Sequence, residues 1–295
     1  MVSLHIEPTS RCTLACSTCE RTTFMNKFGK KNFAINDINI DALESFIDIP
    51  VEGINLCGNS GDPIYHRNFI TLVSMLTNKC NRLIITTNGS YRTRDWWQQL
   101  NHVLRPIDSI KFSIDGTPEN FTQYRVNGDW NSIKIGIEEC VAGPATTTWK
   151  YIPFSYNEHD IEHTRKLASN LGIDKFRVEP SDRWLNDDPL RPTQHIGPRD
   201  TVQQLYKNQN QKDFDIDPIC KNNIEHFISS RGLYTPCCYL THYEFYYKSK
   251  WWHERSNHNI ATSKLSEQIR YFNEFYSTIQ IERYNYCVFN CGKCK

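Results

Sequence analysis

Residues 7 to 22 of the chain read EPTSRCTLACSTCERT and hold three cysteines, Cys12, Cys16 and Cys19, spaced C-x3-C-x2-C. Thiols grouped this closely on one loop are metal ligands before they are anything else. A closed structural zinc site takes four ligands. Three on one loop leave a metal centre with an open position, and an open position is where a reactant binds. The chain has 12 cysteines in all. Cys220, Cys237 and Cys238 form a second group, and Cys287, Cys291 and Cys294 a third. Cys57, Cys80 and Cys140 stand alone, as small buried hydrophobes usually do.

Composition limits what those thiols do. The 295 residues suffice for one large domain, or a large one with a smaller one. Apolar residues are 39% and charged residues 23%, ordinary for a globular chain. A formal net charge of +1 gives no global pull toward nucleic acid or an anionic membrane. No apolar run is long enough to span a bilayer. The start, MVSLHIEPTS, lacks the basic and apolar regions of a secretory signal. The expectation is a cytoplasmic protein, where thiols stay reduced and a disulfide framework is excluded.

Elements must carry the cysteine loop into place. LHIEP (4 to 8), GINLCG (53 to 58), RLIITTN (82 to 88), SIKFSID (109 to 115), WKYIPF (149 to 154) and KFRVEP (175 to 180) read as short strands. Helical patterns lie between them. Phe69, Leu72, Val73 and Leu76 keep i, i+3, i+4, i+7 spacing. The segment 158 to 171 sets Ile161, Ala168 and Leu171 on one face, with Asn157 as N-cap and Gly172 as stop. Alternation of this kind predicts an α/β fold, a partial (β/α)6 barrel of parallel strands, open because six units are too few for eight. Active sites of such sheets lie at the carboxyl ends of the strands. Each polar loop follows a strand: the cysteine loop the first, GNSGDP (58 to 63) the second, TNG (87 to 89) the third and SIDG (113 to 116) the fourth. Four loops would converge on one mouth.

On these residues the chain resembles the radical S-adenosylmethionine (SAM) enzymes. The resemblance covers about residues 1 to 180. It implies that Cys12, Cys16 and Cys19 hold a 4Fe–4S cluster, whose fourth iron takes the amino and carboxylate groups of SAM. The residue before the third cysteine, usually aromatic in that family, is Thr18. GNSGDP resembles the family's Gly-Gly-Glu-Pro loop, so Gly58, Asn59, Gly61 and Asp62 would hold the SAM amino group. There glycines admit a close ligand and a carboxylate meets an ammonium. Thr87, Asn88 and Ser113 would bond the methionyl or ribose end. Asp115 would do likewise or cap the next turn. Arg125, in YRVNG, stands where relatives carry a carboxylate-binding arginine; the alternative is a solvated surface arginine.

Residues 181 to 218 are rich in Pro and Asp and read as a linker, which could cross the barrel mouth. The expected domains are 1–200, the core, and 201–295, a cysteine-rich unit. Cys220, Gly232 and Cys237 resemble the first half of the SPASM or twitch extension, which binds auxiliary iron–sulfur clusters. The resemblance implies one auxiliary 4Fe–4S cluster on Cys220, Cys237 and two of Cys287, Cys291 and Cys294, with ligands lacking for a second. A four-cysteine zinc knuckle is the other use of the same ligands. Cys238 adjoins Cys237 and Cys57 ends the second strand; each is a buried thiol or a hydrogen-atom donor. THYEFYYKSKWWHERSNH (241 to 258) is an aromatic face over the small unit, or a surface that stacks on bases or grips a peptide.

The implied activity is reductive cleavage of SAM, giving a 5′-deoxyadenosyl radical that takes hydrogen from a peptide or small polar substrate. Dehydrogenation, a cross-link or epimerisation would follow. Such chemistry needs an electron donor such as flavodoxin or ferredoxin, and neither membrane nor nucleic acid as partner. The first strand begins near residue 4, so no separate peptide-recognition domain is expected ahead of it. The competing reading is a zinc-containing binding module on an α/β scaffold, one that grips RNA by its aromatic stretch.

Overall fold

The computed structural model describes residues 2–181, 188–194, 214–216, 225–241, 247, 250–272 and 292–294. All six expected strands form: β1 (Ser3–Ile6), β2 (Val51–Leu56), β3 (Cys80–Thr87), β4 (Ser109–Ser113), β5 (Thr146–Tyr151) and β6 (Lys175–Val178). They lie side by side in chain order, each parallel to the next. Parallel neighbours need a crossover. The helices α1 (Glu20–Phe28) and α2 (Ile40–Phe46), then α3 (Phe69–Thr77), α4 (Arg94–Val103), α5 (Trp130–Val141) and α6 (Ile161–Asn170), supply them. This is the expected α/β arrangement, an open run of six parallel strands alternating with helices.

Side chains alternate in polarity along the strands. Leu4, Ile6, Ile54, Leu56, Leu83, Ile85, Ile110, Phe112 and Trp149 are all buried in one core cluster with the helices. The residues between them, Ser3, His5, Asn55, Lys111 and Lys150, are only partly buried and line the other face. The polar loops leave from the carboxyl ends of these strands, so the helix-side core fixes where they start.

Two boundaries shift. β5 begins at Thr146 and stops at Tyr151, three residues earlier than the sequence pattern suggests. Three β-branched threonines start it, and Pro153 lies beyond its end. Helix α6 is capped at Asp160, not Asn157. Asn157 is instead buried, its amide donating to the carbonyls of Asp115 (2.9 Å) and Ile152 (3.2 Å). Gly172 does follow the helix, at φ +81°, where glycine is the residue without strain.

A further strand was not foreseen. β8 (Glu225–Ile228) pairs parallel with β1, and β9 (Tyr234–Thr235) follows it antiparallel, so the sheet reaches eight strands. Elsewhere β7 (Phe214–Ile216) pairs with β10 (Gly292–Cys294). The expected domain boundary at residue 200 lies outside the described residues, as does most of the linker. No helix among the described residues is long and apolar enough to cross a membrane.

His226 on β8 is buried against Tyr234 and Phe272, with ring centroids 5.4 Å from each. Burial holds its ring down to about 4, below the ordinary histidine value. The folded chain thus refuses a proton that the unfolded chain accepts below about pH 6.5. Stability present above that pH should fall as pH drops toward 4, by at most about 3 kcal/mol from this residue. Urea unfolding of wild type and His226→Gln at pH 7 and pH 5 should show the smaller pH dependence in the variant.

Candidate metal and cofactor site

Cys12, Cys16 and Cys19 lie on the loop between β1 and α1, and all three are free thiols. Cys19 stands at the N-cap of α1 without a side-chain cap bond. Cys16 is buried with Leu14, Tyr124 and Phe154, and Cys12 and Cys19 pack against the same group. Burial and the charge of Asp62 push the Cys12 thiol up to about 12. Burial pushes Cys16 up as well, against the pull of Arg125. These are neutral thiols when unligated, and ligation would release their protons.

Two donors aim at the sulfurs. The Asn88 amide lies 3.7 Å from Cys12 Sγ, and Arg125 Nη1 lies 3.8 Å from Cys16 Sγ. Among the described residues no three His, Cys, Asp or Glu side chains converge tightly enough for a single metal ion. A four-iron cube spreads its thiolates wider than one ion does. Three neighbouring thiols, one buried and two half-buried, with side-chain donors directed at two sulfurs suit a cluster, whose charge such donors offset.

Three buried carboxylates fix the surrounding loops. Glu7, just past β1, accepts from the backbone of Ser60 (2.6 Å) and Gly61 (3.3 Å), and from the Ser230 hydroxyl (3.1 Å) and backbone (3.4 Å). Asp62 accepts from Thr87 Oγ1 (2.8 Å), Ile64 N (3.3 Å), and the backbone and side-chain nitrogens of Asn88 (2.6 Å each). Burial pushes the Asp62 carboxyl up, while Asn88 and Thr87 pull it back. Asp115, at φ +63°, takes Arg125 Nε at 2.7 Å on one oxygen and Ile152 N at 2.8 Å on the other.

The expected residues therefore gather. Both oxygens of Asp62 accept from protein donors, so it ties the second strand end to the third. Gly58 and Gly61 each stand tight against backbone. A Cβ on Gly61 would sit 1.9 Å from the Thr9 carbonyl oxygen, and one on Gly58 2.0 Å from the Gly61 carbonyl oxygen. Asn59 turns away to the Cys238 carbonyl (3.1 Å) and Thr241 (3.0 Å). Arg125 is no surface arginine: its side chain is 16% exposed, and Asp115 holds it by two nitrogens. Ser113 is buried at the end of β4, and its hydroxyl makes no hydrogen bond to any described residue.

Sequence reasoning missed Glu7, Tyr124 and His5. Tyr124 accepts a hydrogen bond from Thr18 (3.2 Å) and packs on Phe154 at 4.3 Å between centroids. It brings an aromatic ring beside Thr18 from more than a hundred residues away. His5 Nε2 donates to the Cys57 carbonyl (2.7 Å), and its ring is in hydrogen-bonding contact with Cys238. His5 is thus held between the Cys57 backbone and the Cys238 side chain. Of the second cysteine set, Cys220, Cys287 and Cys291 lie outside the described residues. Cys237 is half-buried against the main core. Cys294 is paired by its backbone with Phe214, six residues before Cys220 in the chain.

No family model matches the chain. The tungsten-containing aldehyde ferredoxin oxidoreductase cofactor-modifying protein of Pyrococcus furiosus is 27% identical over 214 residues, 66% of this chain and 54% of that protein. The chain thus spans about half the length of this curated relative. Streptococcus suis SuiB bound to S-adenosylmethionine superposes with a TM-score of 0.58 at 13% identity, over 81% of this chain and 61% of SuiB. SuiB has also been solved bound to its precursor peptide SuiA. The protein anSMEcpe, with bound AdoMet and the Cp18Cys peptide, gives 0.55 at 13% identity over 86% and 81% of the two chains.

The chain has the radical SAM fold. Its three-cysteine loop leaves the first strand of that fold, and the ties from Glu7, Asp62 and Asp115 hold the loops of a radical SAM sheet around it. The described part of the linker joins them. Ser155 N donates to the Leu190 carbonyl (3.0 Å), and Leu190 packs beside Phe154 and Cys16.

Gly61→Ala should separate the second loop from the cysteine loop. We expect a loss of about 1–3 kcal/mol, as for other overpacked sites. Alkylation mapped by mass spectrometry should show Cys12 and Cys16 reacting faster in this variant than in wild type.

Proposed function

We propose that the chain is a radical SAM enzyme. The observation that carries the reading is the set of three thiols on the loop after β1, with Asn88 and Arg125 directed at two of the sulfurs. Cys12, Cys16 and Cys19 would hold the 4Fe–4S cluster. When bound, that cluster would supply the electron that cleaves SAM to methionine and the 5′-deoxyadenosyl radical, which takes hydrogen from the substrate. The residues of this chain bind and orient. Arg125, anchored by Asp115, sets a fixed positive charge beside the Cys16 sulfur. The unpaired hydroxyl of Ser113 at the mouth is a donor and acceptor for SAM. Leu14, Tyr124, Phe154 and Leu190 pack around Cys16 and would limit water there.

The substrate would enter on the concave, polar face of the sheet. A peptide is supported by the likeness to SuiB and anSMEcpe, both solved with peptides; a small polar metabolite fits the same face. One auxiliary cluster on Cys220, Cys237 and two of the last three cysteines would assist oxidation or hold substrate. The pairing of β7 with β10 supports it, since it returns the C-terminal cysteines toward the segment that leads to Cys220. An electron donor such as flavodoxin or ferredoxin would reduce the site. Cys238 and Cys57, beside His5, would return hydrogen if the outcome is epimerisation.

The test is 5′-deoxyadenosine release. The protein is reconstituted with iron and sulfide without air, given SAM and dithionite, and the product is read by mass spectrometry. Wild type should form it, and Cys16→Ala should fall at least a hundredfold, to the level of dithionite alone. Zinc uptake in place of iron would overturn the reading and favour a zinc-containing binding module.

A further inference from the structure

The inner face of the sheet carries a charge pattern separate from the cysteine loop. Ile110 and Phe112 are fully buried on the helix side of β4, which turns Lys111 to the inner side. On β5, Trp149 and Tyr151 are fully buried, which turns Lys150 the same way. Register sets Lys150 directly beside Arg177 of β6, and pairs Lys111 with Thr148, two residues before Lys150. With Lys175, two residues before Arg177 and in register with Thr148, four cations therefore share one face over three adjacent strands. Lys111 feels Glu179 as well as Lys150 and Arg177.

The balance is uneven. The one carboxylate in the group, Glu179, is committed to Lys150 at 2.6 Å. The Lys111 and Arg177 side chains make no ion pair or hydrogen bond with any described residue. Lys111 is part-buried, and burial pushes its ammonium below the ordinary lysine range. Like charges side by side in a sheet cost stability, and nothing in the core requires them, since Lys111 and Lys150 flank apolar residues that already fill the helix side. A bound anion would offset that cost. The group lies close below the strand ends, with Lys150 in register with Ser113, the last residue of β4.

We propose that the inner face binds an oxyanion, a carboxylate or phosphate, through Lys111 and Arg177. Calling that oxyanion part of the substrate rests on the radical SAM reading; the binding site itself does not. Arg177 offers a planar fork and Lys111 a point charge, a pair suited to either anion. Lys150 holds Glu179 in an ion pair at 2.6 Å, which leaves Lys111 and Arg177 as the cations for the incoming group.

The test uses rhodamine-labelled pentaglutamate, pentaglutamine and pentalysine peptides, with fluorescence anisotropy on the full chain at low and physiological salt. Pentaglutamate should bind at least tenfold tighter than pentaglutamine, and pentalysine should not bind. Lys111→Met and Arg177→Gln should each weaken pentaglutamate about tenfold, while Lys111→Arg restores it. Lys111→Met keeps the buried stem, and its melting temperature reports whether it folds. Displacement by tricarballylate marks a carboxylate site, and displacement by inorganic phosphate a phosphate site. Equal binding of all three peptides, displacement by neither anion, or unchanged affinity in both variants would overturn the proposal. Wild-type 5′-deoxyadenosine release separates the two readings. Anion binding without release leaves the site and removes the radical function; release without anion preference does the reverse.

Discussion

Glu7 is the side chain on which the mouth of the sheet depends. It stands one residue past β1, and its two oxygens take donors from the loop after β2 and from the turn after β8. Loops without regular structure bury backbone N–H groups that need acceptors. Water can supply them at a surface, but not where Glu7 is 5% exposed. A carboxylate can accept several bonds at once, so one residue closes three strand ends. The cysteine loop starts at this point, and its position follows from that closure.

Asp62 and Asp115 apply the same device to the other loops. The cost is desolvation, which is recovered only when every lone pair finds a donor. Asp62 has four donors, and Asp115 has Arg125 on one oxygen and a backbone N–H on the other. An arrangement with such terms has few alternatives of similar energy, because losing one donor leaves a buried charge short of partners. That favours a single loop geometry over a loose set. It also explains why Arg125, largely buried, can hold a fixed angle beside Cys16. The carboxylate fork behind it removes its freedom to turn.

Periodicity made the scaffold legible. Six strands and the helix at 69–77 follow from alternation and from i, i+3, i+4 spacing, since the helix side of the sheet is apolar and its register leaves one choice. The cysteine spacing and the Gly-Asp and Asn-Gly loops identified the mouth for the same reason: local sequence carries local turns. What stayed hidden was long-range. Nothing in HFI (226–228) says that it adds to β1 rather than to a separate unit. The duty of Asp62 also depends on Thr87 and Asn88, which lie on another strand end. Asn157 has the look of a cap, yet its amide is drawn to the Asp115 carbonyl, a partner invisible at the level of one helix. Thr18 and Tyr124 make the point from the other side. The ring missing at one position is brought by another loop, and a motif read residue by residue records only the loss.

The two faces of the sheet answer to different constraints. On the helix side, Phe112, Trp149 and Tyr151 are fully buried, and a change of volume there is felt as a cavity or a clash. The inner side carries less of that demand, since Lys111 and Lys150 are only partly buried and Arg177 is exposed. Their identity can change without moving a strand, while the strand ends keep Cys12, Cys16 and Cys19 where Glu7, Asp62 and Asp115 hold them. On the proposed reading, selectivity for a substrate would be written in inner-face side chains of β4 to β6, and the chemistry done on it in the loops beyond their ends. Charges placed on the inner face are informative for that reason. They cost stability, no packing requirement selects them, and an anion in the concavity is the partner that returns the cost.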